Sequence, residues 1–447
     1  MSIKARTVGI LTLGCKVNQY ESEAIAEAFR EKGYCVCAPT ERCDAYVINS
    51  CTVTAESDRK VRQTVRRALH RNPDAYILVT GCLGQTDPDQ LAAIKGVDFI
   101  CGNAEKLSVL DAAEKLFANE IKSAVPQIVR TAPDALGFEP MCIKRFDRTR
   151  AYVKIQDGCE NHCAYCIIPS ARGKVRSKRP EDAVGEVSEL VRGGCREIVL
   201  TGIETASYGK DLSDCDLGEL LCRMDGIPNI GRVRLGSLDP SCIKQSFVDR
   251  IAKLSSVAPH FHLSMQSGSD SVLARMKRKY NTRMALEAME RLRKAMPEVQ
   301  FTTDIIAGFP GESEEEFAET LAFIERARFL MIHAFPYSRR SGTVADAMPD
   351  QVPEEIKRER VGRITALQER IRHQILQEQI GKTVSVLFET YTDGFAFGHT
   401  PNFIEVACPS KEPLHACVCE VRITGISGTG CVGELLDGQG QRERNLT

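Results

Sequence analysis

Three cysteines stand within eight residues of one stretch, "QDGCENHCAYCIIPSARGK" (156–174), at Cys159, Cys163 and Cys166. Two close thiols would suit disulfide exchange, and four would close a structural zinc site. Three, with no fourth cysteine nearby, suit a metal centre that keeps one position open. Zinc would need a further ligand, and the nearby candidate is His162, inside the loop itself. A [4Fe–4S] cubane held by three thiolates leaves one iron without a protein ligand, free to coordinate a small molecule.

A second set is spread along the chain. Cys15, Cys51 and Cys82 each fall just past a strand-like run, in "TVGILTLGC", "AYVINSC" and "AYILVTGC". In open parallel sheets, sites form outside the carboxyl ends of strands, so these thiols could converge although 36 and 31 residues separate them. The bland alternative is chance, and Cys101, which also follows a strand, shows that position alone does not decide. Most of the nineteen cysteines are expected to be reduced and to pack as small hydrophobes. Cys35, Cys37, Cys43, Cys142, Cys195, Cys215, Cys222, Cys242, Cys408, Cys417, Cys419 and Cys431 belong to no ligand-like pattern.

The elements that must position these residues give an α/β fold class. In residues 1–125 strand-like runs alternate with helix-like stretches such as "ESEAIAEAFREKG", which predicts a parallel sheet flanked by helices. Residues 126–144, with Pro126, Pro133 and Pro140, read as a linker. In 145–375, "RAYVKIQ" feeds the cysteine loop, and "REIVLTG", "RVRLGS", "HFHLSMQSG", "VQFTTDIIAGFPG" and "FLMIHAFPYS" continue a βα series. A partial or full (β/α) barrel with its site at the carboxyl face is expected. Residues 378–440 alternate polar and apolar residues between glycine turns and read as a small β-barrel, in which Phe395, Phe397 and Phe403 stack bases or fill the core.

At 447 residues, with 43% hydrophobic and 27% charged, the chain is globular and too long for one core. No apolar run reaches a membrane span, and "MSIKARTVGILTLGCKVNQ" turns polar too early for a secretory signal, so a cytoplasmic location is expected. The net charge of −1 is unevenly distributed: "RKVRQTVRRALHR" (59–71), "KRFDRTR", "RGKVRSKR" and "RMKRK" are basic. Any one such run is usually a solvated face; several together suit a polyanion.

Cys-x3-Cys-x2-Cys with an aromatic, Tyr165, before the last cysteine resembles the loop of radical S-adenosylmethionine enzymes. Together with "TLGCKVNQYES", "VINSCTVT", "VTGCLGQ", "RLGSLDP", "QSGSDSVLARMKRKY", "TDIIAGFPGE" and "HAFPYSRRSGT", the whole chain resembles the methylthiotransferase family, its last region the TRAM domain. "GCKVNQYES" looks like the branch acting on N6-threonylcarbamoyladenosine; the isopentenyladenosine branch typically has Gln-Met-Asn here and the ribosomal-protein branch Pro-Lys-Asn.

The resemblance implies two [4Fe–4S] clusters, one on Cys159, Cys163 and Cys166 with S-adenosylmethionine, and an auxiliary one on Cys15, Cys51 and Cys82. It implies methylthio transfer to C2 of the adenosine at tRNA position 37, an electron-donor protein and a sulfur source. Tyr165, Gly202, Glu204, Ser237, Asp239, Gln266 and Asp304 are candidate cofactor contacts, with ordinary capping as the alternative. Asp239 stands where Glu is expected in relatives, and Ser341 where Pro is expected. Lys174, Arg176, Lys178 and Arg179 are candidate contacts to the anticodon loop. A reading of another class is a redox-sensing iron–sulfur protein that binds RNA without catalysis.

Overall fold

The computed structural model describes residues 6–52, 55–119, 122, 125–146 and 148–436. The first βα series folds into a six-stranded parallel sheet, in the order Cys35–Cys37, Thr7–Thr12, Ala45–Ser50, Tyr76–Gly81, Phe99–Cys101, Gln127–Val129. Every residue of Ala45–Ser50 and Tyr76–Gly81 is buried, as continuous apolar runs covered on both faces must be. Parallel register runs from Ala45↔Tyr76 to Ser50↔Gly81 and pairs Thr12 with Asn49, so the carboxyl ends of three adjacent strands lie level.

Two of these strands, Cys35–Cys37 and Gln127–Val129, were not expected. Each is three residues long and lies at a sheet edge, too short to carry a periodic signal. The second belongs to the segment read as a linker. That segment also buries Met141 and Ile143 against the central region, and the Met141 carbonyl accepts a hydrogen bond from the Tyr20 hydroxyl at 2.7 Å.

The central region holds two parallel three-stranded sheets. One consists of Arg150–Lys154, Glu197–Thr201 and Arg232–Leu235, the other of His260–Gln266, Gln300–Ala307 and Met331–Pro336. Isolated parallel bridges, Val233↔Val257 and Leu238↔Leu263, join them into an open six-stranded partial barrel. Helix Lys16–Glu31 of the first region packs on Arg150–Lys154, so the first region lies along the open side. Helix Glu354–Gln377 covers Met331–Pro336 at the other edge.

The last region is a closed five-stranded barrel, ordered Thr383–Thr392, Phe395–His399, Glu405–Pro409, Gly430–Leu435, Val418–Ser427. It plugs the amino end of the partial barrel. The Phe403 ring stacks on His260 and His399 with centroids 4.6 and 4.8 Å apart. The Arg150 and Arg234 guanidinium groups lie 5.7 and 5.0 Å from its centroid, and Arg234 donates to the Pro401 carbonyl at 2.9 Å. Phe403 therefore joins two domains rather than presenting a platform to bases, whereas Phe395 remains 39% exposed. One apolar core runs from Val8 through the partial barrel to Cys431. Among the described residues no helix is long and apolar enough to cross a membrane.

Candidate metal centres

The loop carrying Cys159, Cys163 and Cys166 springs from the barrel strand Arg150–Lys154 and is tied off at its base. Residues 156–157 pair antiparallel with 176–177, and the Cys159 amide donates to the Gly173 carbonyl at 2.9 Å. Gly158 turns the chain into the loop at φ +74°, where an added Cβ would lie 1.8 Å from the Lys174 carbonyl oxygen; no other residue fits. Inside the loop, Cys166 N–H donates to the Cys163 carbonyl, while Ala164 bonds Met276 and Ala345 through its backbone. The three thiols share one electrostatic neighbourhood; burial pushes Cys159 up to about 11 and Cys166 up to about 12. Loading a metal there must therefore displace protons.

One cation stands beside them. Arg278 Nη1 lies 3.1 Å from Cys163 Sγ and 3.4 Å from the Tyr165 hydroxyl. Its other nitrogens bond Tyr280, the Ser264 carbonyl and, at 3.2 Å, Asp239. Gln156, fully buried, staples the loop base to the next strand's turn: its Oε1 accepts from Glu204 N at 2.8 Å, and its Nε2 donates to the Gly158 carbonyl. The same Oε1 would lie 2.8 Å from a Cβ at Gly202. Glu204 accepts from Asn161 at 3.2 Å through Oε2, while its buried Oε1 has no hydrogen-bond partner. Burial and the Asp239 charge raise Glu204 to about 7.

The structure thus brings Tyr165, Gly202, Glu204 and Asp239 to the loop. Ser237 is half-buried at the same strand ends, and Gln266 is buried at the end of its strand with φ +66°. Asp304 stands apart, mid-strand inside the barrel, bonded to His262 at 3.1 Å.

Cys15, Cys51 and Cys82 follow three adjacent strands of the parallel sheet, so the level strand ends gather them. A Cβ at Gly14, φ +117°, would lie 3.1 Å from Cys51 Sγ, which places Cys51 against the residue preceding Cys15. Cys15 keeps solvent contact, while Cys51 and Cys82 are buried. Burial raises the Cys15 thiol, and the nearby Arg172 charge opposes that rise. Cys101 ends the next strand, fully buried and pushed up to about 11 by that burial, and Gly84 packs on its carbonyl.

Arg172 comes from the short helix that follows the Cys159 loop, and it is fully buried under the other thiol set. Its Nη1 meets Glu21 at 2.8 Å and Asp157 at 3.0 Å, and its Nη2 donates to Asn18 at 3.1 Å. Lys154 bonds Glu21 at 2.8 Å and Asp157 at 2.6 Å, and Lys106 reaches Glu21 at 3.2 Å. With Arg176, 3.6 Å from Asp157, four buried cations thus meet two buried carboxylates, and the surplus positive charge lies beside Cys15 and Cys82. Arg172 Nε is buried without an acceptor. That electropositive setting and the orphan donor fit an anionic thiolate-ligated group, and the Arg278–Cys163 contact fits one at the other site. Among the described residues no three His, Cys, Asp or Glu side chains close on a single ion. Thiolates of a cubane bind different irons and need not converge on one point.

Of the four basic residues after the loop, Lys174 and Arg179 are exposed, but Arg176 and Lys178 are not. Arg176 donates to the Pro133 carbonyl at 2.7 Å, and Lys178 bonds Glu186 and, at 2.9 Å, the Met141 carbonyl. Both fasten the 126–144 segment and are unavailable to phosphate. Charge in sequence gave no hint of this, because a buried pair and a solvated lysine read alike. Arg278, Gln156, Asn18, Glu21 and Arg172 were given no role by the sequence either, although each lies inside or beside a quoted motif.

Residues 153–324 match the model of the Radical SAM superfamily, and residues 7–102 match one described as Uncharacterized protein family UPF0004. Curated relatives extend the likeness over nearly the whole chain. The chain is 39% identical over 93% of its length to "Threonylcarbamoyladenosine tRNA methylthiotransferase MtaB" of Bacillus subtilis (strain 168), covering 93% of that protein. The chain belongs to the radical S-adenosylmethionine methylthiotransferase family. The MtaB of Thermotoga maritima is also 39% identical, over 97% of this chain and 99% of its own. A "tRNA-2-methylthio-N(6)-dimethylallyladenosine synthase" of Thermoanaerobacter pseudethanolicus is 38% identical over 85% of this methylthiotransferase and 81% of its own length. Among solved structures, the radical S-adenosylmethionine methyltransferase TsrM of Kitasatospora setae superposes with a TM-score of 0.56 at 15% identity, covering 77% of each chain. OxsB, a cobalamin-dependent radical enzyme, superposes at 0.54 and 13% identity, over 82% of this chain and 61% of its own. These two show a shared fold. The family's cofactors are S-adenosylmethionine, its [4Fe–4S] cluster and a second cluster.

Proposed function

We propose that this methylthiotransferase adds a methylthio group to C2 of N6-threonylcarbamoyladenosine at position 37 of tRNA. The observation that carries the reading is the pair of three-thiol groups on one domain interface, each with a cation beside it. "GCKVNQYES" and the MtaB relatives supply the choice of nucleoside. Cys159, Cys163 and Cys166 would hold the cluster that binds S-adenosylmethionine, and Cys15, Cys51 and Cys82 the auxiliary one.

When bound, these groups supply an electron, a radical able to take hydrogen from an unactivated aromatic carbon, and a methylated sulfur. The chain's own residues bind and orient. An aromatic C–H has no acidic proton, so no side chain is assigned as general base. Arg278 lies against the Cys163 sulfur, and the Arg172 charge opposes the burial that raises the Cys15 thiol. The unpaired Glu204 oxygen is left to accept from the methionine amino group. Exposed Lys174 and Arg179, with the basic helix Ala55–Arg71, face solvent as contacts for tRNA phosphates. An electron-donor protein and a sulfur source complete the partners, and the compartment is the cytoplasm.

The test is anaerobic reconstitution with iron and sulfide counting, joined to nucleoside analysis of tRNA. About eight irons, falling to about four in a Cys159/Cys163/Cys166→Ala variant, are expected of two cubanes. Four falling to none would remove the auxiliary site. The dimethylallyladenosine synthases among the relatives favour a second reading, with isopentenyladenosine as substrate. Loss of the 2-methylthio form of that nucleoside alone in a deletion strain would select it.

A further inference from the structure

Lys16 follows the thiol of Cys15 directly and is the first residue of helix Lys16–Glu31. Val17 and Asn18 are buried, but the Lys16 side chain keeps solvent contact. It forms no hydrogen bond or ion pair with another described residue. Its surroundings are nevertheless crowded and charged: Arg234 and Arg150, and with opposite sign Asp304 and the neighbouring Cys15, act on its ammonium group. Arg150, Arg234 and Asp304 stand on three separate strands of the partial barrel, so Lys16, from the first region, lies within electrostatic reach of all three.

The other cations there already have partners. Arg234 pairs with Glu197 at 2.8 Å, Arg150 with Glu197 at 2.6 Å and with Glu389, and Arg232 lies 3.7 Å from Glu197. Asp304 is bonded to His262. Four cations (Lys16, Arg150, Arg232, Arg234) face three carboxylates (Glu197, Glu389, Asp304), which leaves one positive charge unmatched. A water-accessible, unpartnered cation beside this charge group is a site for an anionic ligand group.

The inference rests on the nucleoside proposed above. A threonylcarbamoyl substituent carries a carboxylate and an isopentenyl substituent carries no charge. The substituent is borne at N6, on the base edge that ends at C2. A side chain next to a sulfur donor aimed at C2 is therefore within reach of that carboxylate. We propose that Lys16 binds the carboxylate of the threonylcarbamoyl group and so sets the choice between an anionic and an apolar N6 substituent. Gln, the residue expected at this place in the isopentenyladenosine branch, has no charge to offer one.

The test measures binding of anticodon stem-loops carrying threonylcarbamoyladenosine, its methyl ester, isopentenyladenosine or plain adenosine. The proteins are the wild type, Lys16→Gln, Lys16→Met and Lys16→Arg, each checked for iron content. Wild type is expected to bind the acid about ten- to one-hundred-fold more tightly than the ester, as a charge-assisted hydrogen bond gives. Lys16→Gln and Lys16→Met should bind acid and ester alike at the wild-type ester level, with plain adenosine unchanged, and Lys16→Arg should restore much of the preference. A full acid-over-ester preference in both neutral variants, or none in the wild type, overturns the role of Lys16. Tighter wild-type binding of the isopentenyladenosine loop than of the acid overturns instead the proposed nucleoside.

Discussion

Arg278 shows how much one side chain can be asked to do. Its guanidinium spans Cys163, Tyr165, Asp239, Tyr280 and a strand-end carbonyl, which fixes the cysteine loop against the barrel mouth. A positive charge 3.1 Å from a ligand sulfur also favours the reduced, more negative state of whatever that sulfur binds. Arg278→Gln should therefore keep its iron but lower the midpoint potential of that cluster by tens of millivolts, which a redox titration followed by electron paramagnetic resonance will read. Glu139 offers a simpler titration. Its Oε1 accepts from Leu107 N at 2.9 Å, its buried Oε2 has no partner, and burial raises it to about 7. The folded protein then holds a proton that the unfolded chain has lost between its ordinary pKa near 4.5 and about 7, so stability falls as pH rises through that window. Glu139→Gln should raise Tm at pH 8, by about 1–2 kcal/mol of stability, and leave it unchanged near pH 4.

At the scale of elements, the basic helix Ala55–Arg71 buries Val61, Val65 and Ala68 and turns Arg66 and Arg67 to solvent just beyond the Cys51 strand end. Arg66→Glu with Arg67→Glu should weaken tRNA binding and reduce the slope of log K against log salt by about two, measured by filter binding. Lys178→Met should leave that slope unchanged while lowering thermal stability, because Lys178 is spent on Glu186. This contrast marks what the sequence could and could not tell. Strand-end thiols were legible because long buried strands and their glycine turns announce themselves. The fate of each basic residue was not, because the Met141, Pro133 and Tyr20 groups that complete the settings of Lys178 and Arg176 lie 37 to 158 residues away. The Arg278–Cys163 contact spans 115 residues, beyond any local pattern. The three-residue edge strands failed for the opposite reason, being too short to have a pattern.

For the whole molecule, the decisive feature is the buried charge cluster at the domain interface. Glu21 alone answers Arg172, Lys154 and Lys106 from its side. Glu21→Gln would leave Arg172 and Lys154 with Asp157 alone and Lys106 with no carboxylate, a change of about 3–5 kcal/mol by the behaviour of broken buried pairs. Calorimetry should show a large fall in Tm, with iron lost from both sites rather than one, since Arg172 links the Cys159 loop to the Cys15 set. Phe403, wedged under the barrel, extends the same dependence to the third region. Breeding new substrate preferences by shuffling segments among related enzymes is constrained accordingly. An N-terminal region from another parent would be accepted where it brings a carboxylate at the place of Glu21 and an amide at that of Asn18. Junctions cut at the 126–144 segment would separate Tyr20 from the Met141 carbonyl that it holds. Productive crossovers should therefore carry residues 1–144 as one inheritance unit, with the arginine of the recipient left in place.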